Sequence, residues 1–473
     1  MKSLKILAIM MLSLVGIYSC EGPLEEEIFS QLAPSTLLTS EEGIDALLNS
    51  SYANADLSNA AASWSIPYLG GMPTGDLWGA GGSIESLWVQ LQDFTWGADH
   101  SQMYAHWTSH YDAIRDANIV LDNLDNPDFS SDFVTLKTAE VHFIRGWCYS
   151  QLYNLFGPVP VYLSSLDDPL QARVSDAEMR TLIESELTAA IDDLPVEAEF
   201  GRATKGAAMG VLCKYYLNTR QWQNAADMAQ DVIDLGVYDL ESTYADVFSM
   251  ANEGNSEMVW ALTKHPNAGV NAQNALTYPP NYPRPYPNNG VFAARTYLFD
   301  DFVNSFDPVD TRTELIVTKW APAGGDTIYG LGMDQSFPGK WDWDPNSSGW
   351  MAGNDIPVVR YADILLSRAE ALNEVSGPSQ EAIDLINDVR ERAGVTLLLL
   401  GDYDQSTLRD AILQERKWEF WYEGKNREDL LRHDRFISEA QARGKNAQAH
   451  HVLYPLPQTE LDANELLEQN PGY

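Results

Sequence analysis

The chain has 473 residues, 45% of them hydrophobic, with 68 Asp and Glu against 30 Lys and Arg for a formal net charge of −38. A field of that sign repels nucleic acid and weighs against polyanionic ligands. The length suffices for a large buried core, and three cysteines without a CxxC pair argue against a thiolate zinc site.

Lys2 and Lys5 precede an apolar run from Ile6 to Ile17 that only Ser13 interrupts. The run is too short to span a bilayer, and its charge order is that of a secretion signal. Cys20, after Ile17-Tyr18-Ser19, resembles the cysteine of a bacterial lipobox. The resemblance implies removal of the signal peptide, residues 1–19, and acylation of Cys20. Loss of Lys2 and Lys5 takes the mature chain to about −40. Residues 20–38 read as a lipidated tether and 39–473 as one elaborated domain, since nothing resembles a linker between independent units. No later segment approaches the ~20 apolar residues of a membrane helix.

Periodicity and capping signals predict helices in chain order. The first runs from the Thr39-Ser40-Glu41-Glu42 cap to about Ala55. Residues 56–101 are rich in Gly, Ala and Ser and carry Trp64, Trp78, Trp88 and Trp96 at no helical period. They read as an ordered irregular region with a short helix around Ser83–Leu91. Helices follow at 102–125, 132–156, 175–194, 204–218 and 222–235. Region 265–356 then loses helical periodicity, and its length without regular structure points to function. It holds a proline–tyrosine run (278–287) and Trp320, Trp341, Trp343 and Trp350. Helices return at 358–375, 378–393 and 406–422. The expected fold is all-α.

Two helix pairs, at 215–233 and 369–387, share a tight turn and small residues (Ala225 and Ala226; Ala382) where helices approach. That is a tetratricopeptide-like pattern. Cys148 and Cys213 fall in apolar helical segments, where a buried free thiol is the plain reading and a disulfide between them stays open.

Five segments in order carry a wider resemblance: AEVHFIRGWCYSQLYNLFGPVPVY (139–162), GRATKGAAMGVLCKYYL (201–217), PVVRYADILLSRAEALNE (357–374) with AIDLINDVRERAG (382–394), AILQERKWEFWYEGKNREDLLR (411–432) and YPLPQTELDANELLEQNPGY (454–473). With the lipobox, the set resembles the SusD/RagB family of outer-membrane lipoproteins. The resemblance implies about four tetratricopeptide-like pairs and an irregular glycan-binding portion. It also implies a protein exposed on the cell surface, lying over a SusC-like TonB-dependent transporter to which it delivers oligosaccharides. Glu21, Glu25, Glu26 and Glu27 resemble the signal that sends such lipoproteins to the outer face.

Sugar rings present C–H faces on which indole and phenol stack, and their hydroxyls require oriented polar side chains. Five of the 14 tryptophans lie in 61–110 and four in 318–350. The expected stackers are Trp78, Trp96 and Trp320, then Tyr282 and Trp343. Asp76, Asn281 and Arg284 are the expected hydroxyl partners. Trp107, in helical register with Tyr111, reads as core. Interval 61–110 has no Lys or Arg, and 266–356 has ten acids against five bases. That balance favours a neutral glycan, a β-linked glucan such as laminarin, over sulfated or uronate chains.

His106 and His110 have metal-ligand spacing but no third ligand nearby. Asp342-Trp-Asp344-Pro-Asn346 starts like a calcium loop but lacks its glycine and closing Glu. The segment 414–432 reads as structural, with Trp418, Phe420, Trp421 and Leu430 packed and Arg416, Glu419, Glu423 and Arg427 ion-paired. No cofactor, metal or catalytic residue is expected. The rival functions are a secreted glycoside hydrolase and a protein-binding tetratricopeptide scaffold.

Overall fold

Alanine fills several of the places where helices of this chain meet. Ala225, Ala226 and Ala371 pack with Leu217 in one buried cluster, and Ala382 is fully buried in the next. A methyl group lets two backbones approach where a larger side chain would hold them apart. In the computed structural model, residues 37–55, 65–267 and 269–473 are described. The expected signal peptide, Cys20, most of the expected tether and Trp64 lie outside that set.

The scaffold comprises α1 (Glu41–Ala55), α2 (Ser101–Asp122), α3 (Ser131–Phe156), α4 (Asp176–Asp193), α5 (Lys205–Asn218), α6 (Trp222–Asp234), α7 (Tyr361–Ser376), α8 (Gln380–Ala393) and α9 (Gln405–Glu419). Each helix packs against the next in this order as far as α8, and α9 also lies on α7. The pairs α1/α2, α3/α4, α5/α6 and α7/α8 are the four of the expected tetratricopeptide-like stack. Local sequence sets the ends. Ser130 caps α3 by accepting the Phe133 N–H, and Ser175 with Glu178 closes a capping box on α4. Gly157, at φ 76°, ends α3 in a backbone region that favours glycine.

The predicted helices match to within a few residues, with two informative exceptions. Residues 358–360 belong to strand β8 (Ile356–Arg360), which pairs antiparallel with β2 (Met258–Leu262), so α7 begins at Tyr361. Helix α9 stops at Glu419 rather than 422, and short helices the sequence did not suggest follow at Asn426–Arg432, Phe436–Ala442 and Gln458–Ala463. The Glu419 carbonyl accepts the Tyr244 hydroxyl at 2.5 Å and Lys340 Nζ at 3.3 Å. Cys148 and Cys213 are both buried and free, so no bridge joins them. Among the described residues no helix is long and apolar enough to cross a membrane.

Region 265–356 is the least regular part, as its composition implies. Its strands are short: β3 (Arg295–Leu298), β4 (Ile316–Val317), β5 (Lys319–Trp320), β6 (Ile328–Tyr329) and β7 (Phe337–Pro338). The sheets among the described residues are two-stranded. Three of them serve this region: β3 pairs with β1 (Leu77–Ala80), β4 with β7 and β5 with β6. Isolated two-stranded sheets are marginal in water, so the scaffold must hold them.

That support is a set of buried ions on segment 415–432. Arg360 Nη1 bonds Glu419 Oε1 at 2.9 Å and its Nη2 bonds Glu423 Oε1 at 2.8 Å. Arg312, fully buried, bonds Asp310 and Glu415 at 2.7 Å each. Lys340 Nζ bonds Glu423 and the Trp421 carbonyl at 2.6 Å each. A second group joins Arg416 to Asp363 at 2.8 Å and to Asp429 at 3.0 Å, and Arg432 to Asp429 at 2.7 Å. Phe420, Trp421 and Leu430 are buried as expected, and Trp418 is half-buried. Arg427 departs from expectation. It donates to the carbonyls of Asn154 and Val452, and its guanidinium lies 4.6 Å from the Tyr454 ring and 5.7 Å from that of Phe436. Carbonyls and π faces replace the expected carboxylate.

Burial also sets an acid limit on stability. It holds His110 down to about 4 and His106 well below its usual value. Both rings fold uncharged, so below pH ~6.5 the unfolded chain binds protons that the folded one refuses. Stability is therefore expected to fall between pH ~6.5 and 4, by about 2 kcal/mol per histidine at pH 5. Buried Asp363 and Glu370, whose pKa values are lowered despite burial by Lys214 and Arg432 respectively, add a further loss that begins as pH falls through the ordinary carboxylate range and continues below it. Urea melts at pH 7.5 and pH 5 check this, and a His106→Leu/His110→Leu variant should show a flatter profile.

Candidate functional site

Strands β1 and β3 are joined antiparallel across more than two hundred residues, with Trp78 opposite Tyr297. Cross-strand partners project to one face, and the two rings stack at 4.7 Å with a 26° interplanar angle. Trp78 is fixed further by its Nε1–H, which donates to the Asp334 carbonyl at 2.6 Å. Tyr297 stacks in turn on Phe337 of β7 at 5.3 Å and 27°.

Phe337 connects this pair to the proline–tyrosine run and to the β5–β6 hairpin. Its ring lies 6.1 Å from Tyr278 and 6.3 Å from Trp320. Tyr282 sits 4.4 Å from Tyr278, 5.9 Å from Trp320 and 6.2 Å from Trp343, nearly parallel to the last. Prolines between the tyrosines keep the run from becoming a helix, and a tight turn closes with the Tyr282 N–H on the Pro279 carbonyl at 2.9 Å. Seven aromatic rings thus form one continuous strip. Phe337 and Tyr278 are buried beneath it, while Trp78, Tyr297, Tyr282, Trp320 and Trp343 are half-exposed. Burial pushes the Tyr278 hydroxyl far above its usual pKa, so the strip is uncharged at neutral pH.

Four of the expected stackers, Trp78, Trp320, Tyr282 and Trp343, therefore share one surface. Trp96 does not. It is buried against Phe94, His451 and Tyr454, with ring centroids 4.9, 4.7 and 5.1 Å away, and its Nε1–H donates to the Tyr473 hydroxyl at 2.8 Å. Asp76 is also corrected, from ligand partner to internal brace. Buried, it pairs with Lys417 at 2.8 Å and accepts from Asn426 and from Thr74. Asn281 is exposed, and half-buried Arg284 donates to the Asn289 carbonyl.

Sequence reasoning missed Tyr297, Phe337 and Tyr278. Tyr278 stood in the same tyrosine run as Tyr282 and was legible there. Tyr297 and Phe337 are neither tryptophan nor in a composition cluster, and only strand pairing brings them in. The remaining motifs are structural. His106 and His110 are buried with rings 4.2 Å apart, and His110 Nδ1–H donates to the His106 carbonyl at 2.7 Å. Asp342 and Asp344 accept backbone N–H groups of Trp343, Asn346 and Gly353 at 2.7 to 2.8 Å.

A tetratricopeptide-like helical stack carrying a long irregular segment with an aromatic face defines a class of helical scaffold protein. Residues 340–473 match the model described as the SusD family, and residues 24–217 match one described as "Starch-binding associating with outer membrane". The chain is 30% identical over 425 residues, 78% of its length, to "SusD-like protein P25" of Formosa agariphila, covering 79% of that protein. It is 26% identical over 425 residues to "Starch-binding protein SusD" of Bacteroides thetaiotaomicron, with 74% of this chain and 75% of that one covered. Among solved structures, surface glycan-binding protein A from B. thetaiotaomicron, in complex with laminarihexaose, superposes with TM-score 0.78 at 20% identity, over 91% of this chain and 99% of that one. The chain belongs to the SusD family.

Because Asp76 braces the fold behind Trp78, Asp76→Ala is expected to lower stability by about 1–3 kcal/mol and to weaken any ligand of the aromatic strip less than Trp78→Ala does. Thermal melts and titration calorimetry on the same preparation separate the two effects.

Proposed function

We propose that the protein is a non-catalytic, cell-surface lipoprotein of the outer membrane. It captures a neutral polysaccharide, a β-linked glucan such as laminarin, and passes the oligosaccharide to a SusC-like TonB-dependent transporter. The observation that carries the binding step is the strip of five half-exposed rings from Trp78 to Trp343, backed by Phe337 and Tyr278. Successive flat faces suit successive pyranose rings, and each contact buries apolar area at little conformational cost. The laminarihexaose complex of a structural neighbour supports a β-glucan as the ligand class. The acidic balance of 61–110 and 266–356 disfavours sulfated and uronate chains. Asn281 and Arg284 remain the proposed hydroxyl contacts at the Tyr282 end.

Each stacked ring should contribute about 1–3 kcal/mol. Trp320→Ala or Trp78→Ala is thus expected to weaken laminarin binding about tenfold or more, with Trp96→Ala lowering stability instead. Titration calorimetry with laminarin, alginate and carrageenan tests the reading. Binding of the anionic glycans alone defeats the charge argument, and normal binding by both strip variants defeats the site.

The anchor is tested separately. Cys20→Ala is expected to move the protein from the membrane fraction to the soluble fraction in cells lacking the transporter, because stable anchoring by lipid needs the attached chains. Retention of the variant in the membrane would remove the lipoprotein reading.

A further inference from the structure

The helical scaffold holds a cavity of about 410 Å³ that shares no residue with the aromatic strip. Its walls come from α3, α5, strand β8 and the turn and short helix at 423–432. Trp147, Val211 and Ile356 on its wall are buried, whereas Asp176, Arg220 and Val452 on its lining are exposed, so it opens to solvent on that side. The volume falls within the range of small-ligand pockets.

Charge is unevenly balanced around it. Lys214, Lys425 and Arg427 all line the cavity. Lys214 and Lys425 both pair with Asp363 at 3.1 Å, and the same carboxylate serves Arg416 at 2.8 Å. Lys214 has a second partner in Glu428 at 3.1 Å. Arg427, 2% exposed, forms no ion pair with a carboxylate among the described residues. The carbonyls of Asn154 and Val452 and the rings of Tyr454 and Phe436 solvate its guanidinium but supply no net negative charge. Burial lowers the Arg427 pKa. Burial also works against Arg360, Arg416 and Arg432, yet their carboxylates raise them. Two donors on lining residues, Trp147 Nε1–H and Arg427 Nε–H, find no acceptor among the described residues, although buried donors are nearly always satisfied.

A buried cation without a counter-charge, beside a cavity, calls for a single negative charge. Asp176, Glu423 and Glu428 on the same lining oppose a dianion such as phosphate. The apolar wall of Val211, Ile356, Leu431 and Leu453 calls for an apolar body as well, which a halide lacks. We propose that this cavity binds a small organic carboxylate, its acid group answering the charge of Arg427 and its body resting against Trp147 and Val211. The acid group can belong to an aliphatic acid or to a single uronic sugar. The net charge of −38 acts most strongly on polyanions at the surface, whereas one small anion in this cavity meets the local excess of base.

The test is titration calorimetry on the purified full-length protein at pH 7.5 with sodium hexanoate, sodium D-glucuronate, D-glucose and NaCl. One of the two acids is expected to bind with a Kd of about 1 mM or tighter, and the tighter of the two identifies the source of the carboxylate. Glucose and chloride should give no detectable heat. Arg427→Gln removes the charge and is expected to weaken the acid about tenfold or more. Because that variant also loses bonds to two carbonyls, Val211→Phe is measured beside it. The larger ring fills part of the cavity and leaves every charge in place, and it should weaken the acid by a similar factor while the protein stays folded. Trp320→Ala should bind the acid as wild type does. Absence of binding by both acids overturns the site. Glucose or chloride binding as tightly as the acids overturns the carboxylate. Undiminished affinity in Val211→Phe, or loss of it in Trp320→Ala, places the acid elsewhere and overturns the proposal.

Discussion

Arg360 reaches three carboxylates from two distant parts of the chain while fully excluded from water, bonding Glu257, Glu419 and Glu423. Moving such ions out of water is costly, and an unpaired survivor is worse than none, so these groups fold together or not at all. Around that guanidinium, Arg312 and Arg392 share Glu419, and Lys340 shares Glu423. The consequence is positional. Residues 257, 312, 340 and 360 come from the irregular half and its border, while 415, 419 and 423 come from α9 and the turn after it. Charges with few geometric solutions thereby lock an irregular segment onto a helical one.

The aromatic strip depends on this lock because its own secondary structure is weak. Strands β5 and β6 are two residues each, as are β4 and β7. Lys340 lies three residues from Phe337, the ring through which both ends of the strip connect. Asp76, two residues before Trp78, is held by Lys417 and Asn426. The middle of the strip and its Trp78 end are therefore tied to segment 415–432, whose charged sequence resembles surface but lies in the interior.

How much of this the sequence revealed follows from the range of the interactions. The helix at 132–156 and that at 222–235 were legible almost to the residue, because capping and periodicity act within a few positions. Trp78 and Trp96 show the opposite case. They stand eighteen residues apart in similar surroundings, yet one faces outward and the other is covered by Tyr473, the last residue of the chain. Asp76 in a glycine-rich turn reads as exposed until Asn426, 350 residues away, is seen to donate to it. Composition located the irregular region 265–356 but not the helix at Ser65–Gly71 or the strand at Leu77–Ala80 in the other interval, and the choice among the tryptophans is made by distant partners that no local pattern encodes.

The pairing of β1 with β3 has a consequence for the order in which the chain becomes functional. Trp78 is synthesised long before Tyr297, and the braces at 417 and 426 emerge later still. Closing loops of that length is a slow step compared with forming local helices. The N-terminal helix pairs can assemble as they appear, whereas the strip exists only once nearly the whole polypeptide has arrived. A prematurely terminated product would thus keep its first helix pairs and lack the assembled aromatic face.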